Sequence, residues 1–123
     1  SRTQLSPVLP EGIPLMLIAP IASNPKRVTA GSLVVISCET RTAAGVLTTP
    51  GTSISLLIYG PGGATDRTSV AMVTSSAGIH SYAFAFPTTV PSGERTLEVI
   101  AIHTDGTSRV RTEPGNAANF EGV

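Results

Sequence analysis

From residue 28 onward, turn sequences cut the chain into short runs, and this punctuation constrains its fold more than any other feature. Residues 32–40 (SLVVISCET) are β-branched and apolar in the middle, as a buried strand is. Residues 52–60 (TSISLLIYG) alternate, with Ile54, Leu56 and Ile58 on one face and Ser53 and Ser55 on the other. Gly60-Pro61-Gly62-Gly63 ends that run with a strong turn signal. Residues 68–74 (TSVAMVT) form the next run, and residues 75–78 turn. Residues 79–86 (IHSYAFAF) alternate again, placing Tyr82, Phe84 and Phe86 together. After a loop over 87–93 comes the longest strand, residues 95–104 (RTLEVIAIHT). Asp105-Gly106 is the chain's strongest hairpin signal, and residues 107–112 run back beside that strand.

No stretch carries a 3.6-residue apolar period, so helices are not expected. With a short strand near Val28 the count reaches about seven, and the expected class is an all-β sandwich or barrel. The 123 residues suit one domain with one core. The longest strand is apolar on both faces, with Leu97, Val99 and Ala101 on one and Ile100 and Ile102 on the other. A strand apolar on two sides needs cover on both, so Ile100 and Ile102 are candidate partner-binding residues.

The two ends read differently from the middle. Residues 1–27 hold five of the ten prolines yet are rich in Leu, Ile, Val and Met. Proline disfavours helix interiors and central strands. The expectation is an extended arm over 1–27, a sandwich over 28–112 and a polar tail over 113–123. An apolar arm calls for a surface, either along its own sandwich or on a neighbour, and Leu15, Met16, Leu17, Ile18 and Ile21 are the candidates to fill pockets there. The apolar run 13–22 is too short for a membrane helix and is interrupted by Pro14 and Pro20, so no membrane insertion is expected. Ser1 fits a chain trimmed of its initiator methionine, with synthesis in the cytoplasm and no export signal.

Charge and cysteine content narrow the partners. Formal net charge is zero and charged residues make up 13% of the chain, which protects weakly against association and favours a surface that neighbours cover. The eight basic residues are scattered without interleaved aromatics, so nucleic acid is not an expected partner. The lone Cys38 excludes an intrachain disulfide.

Several segments carry a resemblance. Arg27-Val28-Thr29-Ala30-Gly31 before a buried strand resembles the opening of bacterial and phage immunoglobulin-like domains. Ile58-Tyr59-Gly60-Pro61-Gly62-Gly63 is similar to their strand and aspartate-proline-glycine turn, with Gly60 where aspartate is common. The run from Gly78 to Phe84 looks like their Gly-x-Tyr-x-Tyr-x-Phe strand, and the run from Pro91 to Ala101 like their Pro-x-Gly-x-Tyr-x-Val strand. The resemblance spans residues 26–112 and implies an immunoglobulin-like sandwich of about seven antiparallel strands. Without Trp or a second Cys it is not the vertebrate type. Isolated domains with extended arms of this kind resemble tailed-phage structural proteins. That likeness implies a non-enzymatic virion component bound to a capsid, neck or tail, with other virion proteins and copies of itself as partners. The alternative is a carbohydrate- or cell-surface-binding module of a bacterial envelope protein, for which Tyr59 and Tyr82 exposed together would speak.

Catalytic chemistry finds little support. Cys38 reads as a small buried apolar residue, His103 beside Asp105 as a surface histidine, and His80 as an edge or interface residue. No Gly-x-Ser-x-Gly elbow occurs, and the glycine-rich turn lacks a phosphate loop's lysine and helix. One Cys and two distant His give no metal spacing, and no cofactor is expected. Glu94 and Glu98 straddle the start of a strand and read as solvated.

Overall fold

A computed structural model describes residues 16–60, 67–86, 92–104 and 106–123, with backbone alone at 67. The alternating runs become the strands their periodicity calls for, and the ten strands among the described residues pack as two sheets. These are β1 (Leu17–Asn24), β2 (Arg27–Val28), β3 (Leu33–Arg41), β4 (Ser53–Tyr59), β5 (Arg67–Ala71), β6 (Val73–Ser76), β7 (Ile79–Ala85), β8 (Gly93–His103), β9 (Gly106–Arg111) and β10 (Phe120–Gly122). One sheet has the order β1-β3-β7-β6. The other runs β2-β10-β8-β4-β5, with β9 also paired to β8.

Both sheets put one side-chain row inward. Val34, Ile36, Cys38 and Thr40 of β3 face Leu56, Ile58, Leu97 and Val99 from the other sheet, and all are buried. Inward rows that alternate with outward ones are the expected register for a sandwich with one dry side per sheet. Phe86 and Phe120 close one end of this core, and Phe120 lies 6.1 Å from Phe84, centroid to centroid.

The expected run 68–74 splits at Met72. β5 stays on β4, whereas β6 joins β7 in the opposite sheet. Met72 sits at the crossing, buried, with its amide donating to the Ile54 carbonyl.

Two expected boundaries are corrected. Of the arm expected over 1–27, the described part from Leu17 does not stand apart from the sandwich: it is β1, an edge strand antiparallel to β3. Prolines are tolerated on edges and at bulges, and Pro20 falls within the register shift between Ile18 and Ile21, where the ladder is already interrupted. Pro25 lies between β1 and β2; both prolines follow cis peptide bonds. The tail over 113–123 does not leave the domain either. After an excursion through 112–119, β10 pairs with Gly93–Arg95 of β8 and, in parallel, with β2. The isolated Phe120 explains this, since burying one phenylalanine stabilises a short strand by about 2–3 kcal/mol. Thr112 and Asn119 pin the excursion: Thr112 Oγ1 accepts the Leu97 amide at 2.9 Å and donates to Asn119 Oδ1 at 2.5 Å.

Candidate binding faces

The outward row of β3 begins Leu33, Val35, Ser37. Antiparallel pairing with β7 sets Leu33 opposite Ala85, Val35 opposite Ala83 and Ser37 opposite Ser81. On the flanks, Ala22 of β1 pairs with Ser37, and Val73 of β6 with Ser81. On this outer face the row through Ser37 is therefore apolar or hydroxyl-bearing from edge to edge, and in the row through Val35 the β1 edge carries the uncharged amide of Asn24. Leu33 is 59% exposed, Val35 44% and Val73 62%. Its charges are confined to one end, where Arg41 and Glu39 neutralise each other at 2.6 Å.

The outer face of the other sheet is built differently. Register places Leu57 beside Glu98 and Glu98 beside Arg111, and in the next row Ile100 beside Arg109. Tyr59 Oη donates to Glu98 Oε1 at 2.7 Å, and Arg109 Nε lies 3.5 Å from Glu98 Oε2. The Arg111 guanidinium stacks on the Tyr59 ring, 3.8 Å from its centroid. Glu98 does point outward, but it is buried rather than solvated. Both of its oxygens have partners, which offsets the cost of burying a carboxyl in such a place.

Of the five arm candidates, Leu15 lies outside the described residues. Met16 and Ile18 are buried in their own sandwich, Ile21 is half-buried against the core, and Leu17 alone is exposed. The Met16 amide donates to Ser108 Oγ at 3.0 Å, tying the entry of β1 to β9. Met16, Ile18 and Ile21 thus pack into the chain's own sandwich, and Leu17 does not. Ile100 and Ile102 do share the outer face of β8, the first half-buried and the second exposed.

His80 is not at an edge or interface but fully buried. Its Nε2 lies 2.8 Å from Thr40 Oγ1, and its Nδ1 lies 2.9 Å from Thr74 Oγ1. Thr40 Oγ1 already donates to the Thr48 carbonyl at 2.6 Å, so Nε2 carries the hydrogen and Nδ1 accepts from Thr74. Burial holds this imidazole below its ordinary pKa. Cys38 is the cross-strand partner of His80, a juxtaposition that invites a nucleophilic reading. The geometry denies it. Both ring nitrogens are engaged by threonines, Cys38 Sγ lies 3.8 Å from Met72 Sδ, and burial, with a smaller contribution from Glu39, pushes the thiol up to about 12. A nucleophilic cysteine needs the reverse. His103 is half-buried, with Nε2 3.3 Å from Ser108 Oγ.

A cleft of about 380 Å³ lies where β2, β10 and the start of β8 meet, lined by Lys26, Arg27, Glu94, Asn119 and Glu121 among others. Arg27 Nε lies 3.8 Å from Glu121 Oε1, and Lys26 Nζ donates to Ser23 Oγ at 3.5 Å. Glu94 accepts from Asn119 Nδ2 at 2.9 Å and the Gly115 amide at 2.7 Å, which holds its carboxyl below the ordinary range. This geometry orders the excursion before β10. Among the described residues no cluster of His, Cys, Asp or Glu could hold a metal ion, and no helix is long and apolar enough to cross a membrane.

With this geometry in hand, the chain is similar in structure to the Lin-41 filamin domain, with a TM-score of 0.57 and 18% identity over 89% of this chain and 93% of that one. The fold is an immunoglobulin-like β-sandwich. A second solved structure, the Pseudomonas fluorescens alkylpurine DNA glycosylase AlkC bound to DNA containing an abasic-site analogue, aligns with a TM-score of 0.47 and 10% identity over 80% of this chain and 30% of that one. No family model and no curated protein matches the chain.

Sequence reasoning missed the face around Leu33 and Val35. Its signal was present in SLVVISCET, which is apolar at odd and even positions alike, as 95–104 is. The Tyr59, Glu98, Arg109 and Arg111 cluster was hidden because it needs two strand registers at once.

Proposed function

We propose that the chain is a non-enzymatic virion structural protein, an immunoglobulin-like module that binds and stabilises a phage capsid, neck or tail assembly. One observation carries this reading: the outer face of β1-β3-β7-β6 exposes Leu33, Val35 and Val73 and, among the described residues of these strands, no unpaired charge. A surface of that composition gains by being covered, and it imposes no repulsion on a neighbour. The low charge of the chain and the resemblance of its motifs to bacterial and phage immunoglobulin-like domains point the same way. The partners on this reading are neighbouring virion proteins and further copies of the chain. Ile100 and Ile102 supply a second, smaller contact on the opposite face.

The envelope-module alternative asks for Tyr59 and Tyr82 on a shared exposed platform. Tyr59 is buried on one sheet's outer face, while Tyr82 packs inward from the other sheet, so no observation favours it.

The test is density-gradient fractionation of lysates from cells producing the particle. The wild-type chain is expected with the particles. The variant carrying Val35→Lys and Val73→Lys, shown folded by its circular dichroism, is expected in the soluble fractions. A variant that stays with the particles would refute the role of this face. A wild-type chain found with envelope membranes would refute the virion reading.

A further inference from the structure

The geometry of the other outer face points to a second recognition element, independent of the assembly reading. We propose that Arg111 is a preorganised anchor for a carboxylate of a protein partner that docks across β8 and β9. The two oxygens of Glu98 are divided between Tyr59 Oη and Arg109 Nε, so this one buried carboxylate neutralises one of two arginines. Arg111 has no ion pair among the described residues, and its contact is with the Tyr59 ring. Stacking engages the flat face of a guanidinium and leaves its in-plane N–H donors directed outward, the geometry that grips a carboxylate with two parallel hydrogen bonds. The ring beneath is itself fixed, because Tyr59 is buried and its hydroxyl is held by Glu98. A side chain already held in place loses less rotamer freedom when a partner binds.

Charge selects the partner. Arg109 and Arg111 against Glu98 leave one net positive charge among the described groups of this cluster, bordered by Ile100 and Ile102. That matches a single carboxylate flanked by aliphatic side chains. A polyanionic backbone needs a broader basic surface.

The experiment titrates the full chain, labelled with nitrogen-15, with a blocked peptide of sequence Leu-Glu-Val-Glu-Leu and with its Leu-Gln-Val-Gln-Leu counterpart. Inorganic phosphate and a thymidine oligonucleotide form two further arms. The expected result is a saturable shift of the Arg111 Nε–H signal and of the amides of Ile100 and Ile102 with the glutamate peptide, and none with the glutamine peptide. Arg111→Lys keeps the charge but loses the planar fork, and is expected to weaken the glutamate peptide about tenfold. Arg109→Lys leaves the Arg111 stack intact and is expected to change it little. The proposal is overturned by equal shifts from both peptides, by unaltered binding in Arg111→Lys, by tighter binding of phosphate or oligonucleotide, or by no saturable shift up to about 10 mM.

Discussion

Acidification is expected to weaken this fold through His80. In the folded state the imidazole is neutral, fully buried and hydrogen-bonded at both nitrogens. Protonating it would place a cation in the core, and burial accordingly lowers its pKa. In the unfolded chain the same ring titrates near its ordinary value of 6.5. As pH falls, the unfolded state takes up the proton first. His80's stability contribution is therefore complete above about pH 6.5 and is lost as pH falls toward the lower folded pKa. One proton sets the limit of the effect: at most about 1.4 kcal/mol per pH unit, hence up to about 1.4 kcal/mol one unit below the unfolded value. The assay is urea unfolding at a series of pH values between 8 and 5, for wild type and for His80→Gln, both in a His103→Gln background. The Gln variant is expected to be less stable throughout, by about 1–3 kcal/mol for its imperfect replacement of two buried hydrogen bonds. Its stability should be nearly flat where wild type declines. Parallel curves for the two proteins, or an NMR titration placing the His80 ring at or above 6.5, would refute the reasoning.

Two further outcomes follow from close packing. A Cβ at Gly122 would lie 2.1 Å from Phe86 Cζ, so Gly122→Ala must displace that buried ring or lift β10. The expected cost is about 1–3 kcal/mol, read as a lowered melting temperature, and an unchanged midpoint would contradict the contact. Cys38 is expected to resist thiol reagents at pH 8 in the native protein and to react at once in denaturant. Rapid native labelling would show that the core opens there.

Strand positions were legible because alternation and turn chemistry are local. Ile54, Leu56 and Ile58 on one face, and Leu97, Val99 and Ala101 on another, follow from period two alone, and both rows do face the core. The ends were harder. Pro20 and Pro25 argued against a strand at 17–24, yet proline forbids only what an edge strand and a bulge do not require. Phe120 looked isolated in a polar tail because the partners that bury it, Phe84 and the foot of β8, are distant in sequence. Met72 shows a third limit. Nothing local to TSVAMVT says that the chain changes sheets there. The candidate faces depend on register between strands. His80 is the clearest case: a histidine in an alternating run is core or surface according to whether Thr40 and Thr74 come into reach, which its neighbours in sequence do not determine.

β1 and β10 pair into the two sheets and bury Ile18 and Phe120 in the chain's own core, and apolar side chains remain exposed on the outer side of β3 and β6. Leu33, Val35 and Val73 are each roughly half exposed. Covering each of them adds about 1 kcal/mol, and with Ala83 and Ala85 the face yields about 3–5 kcal/mol. Association itself costs about 4–15 kcal/mol in lost rigid-body freedom, so one such contact between two free chains does not persist. A chain held at several points on an array does persist, because each further contact forms at an effective concentration that raises avidity about 10²- to 10⁴-fold. On the proposed reading the face is therefore weak by itself and effective in a repeating assembly. Cosedimentation with assembled particles, rather than the mass of the free chain in solution, is the measurement that decides the matter.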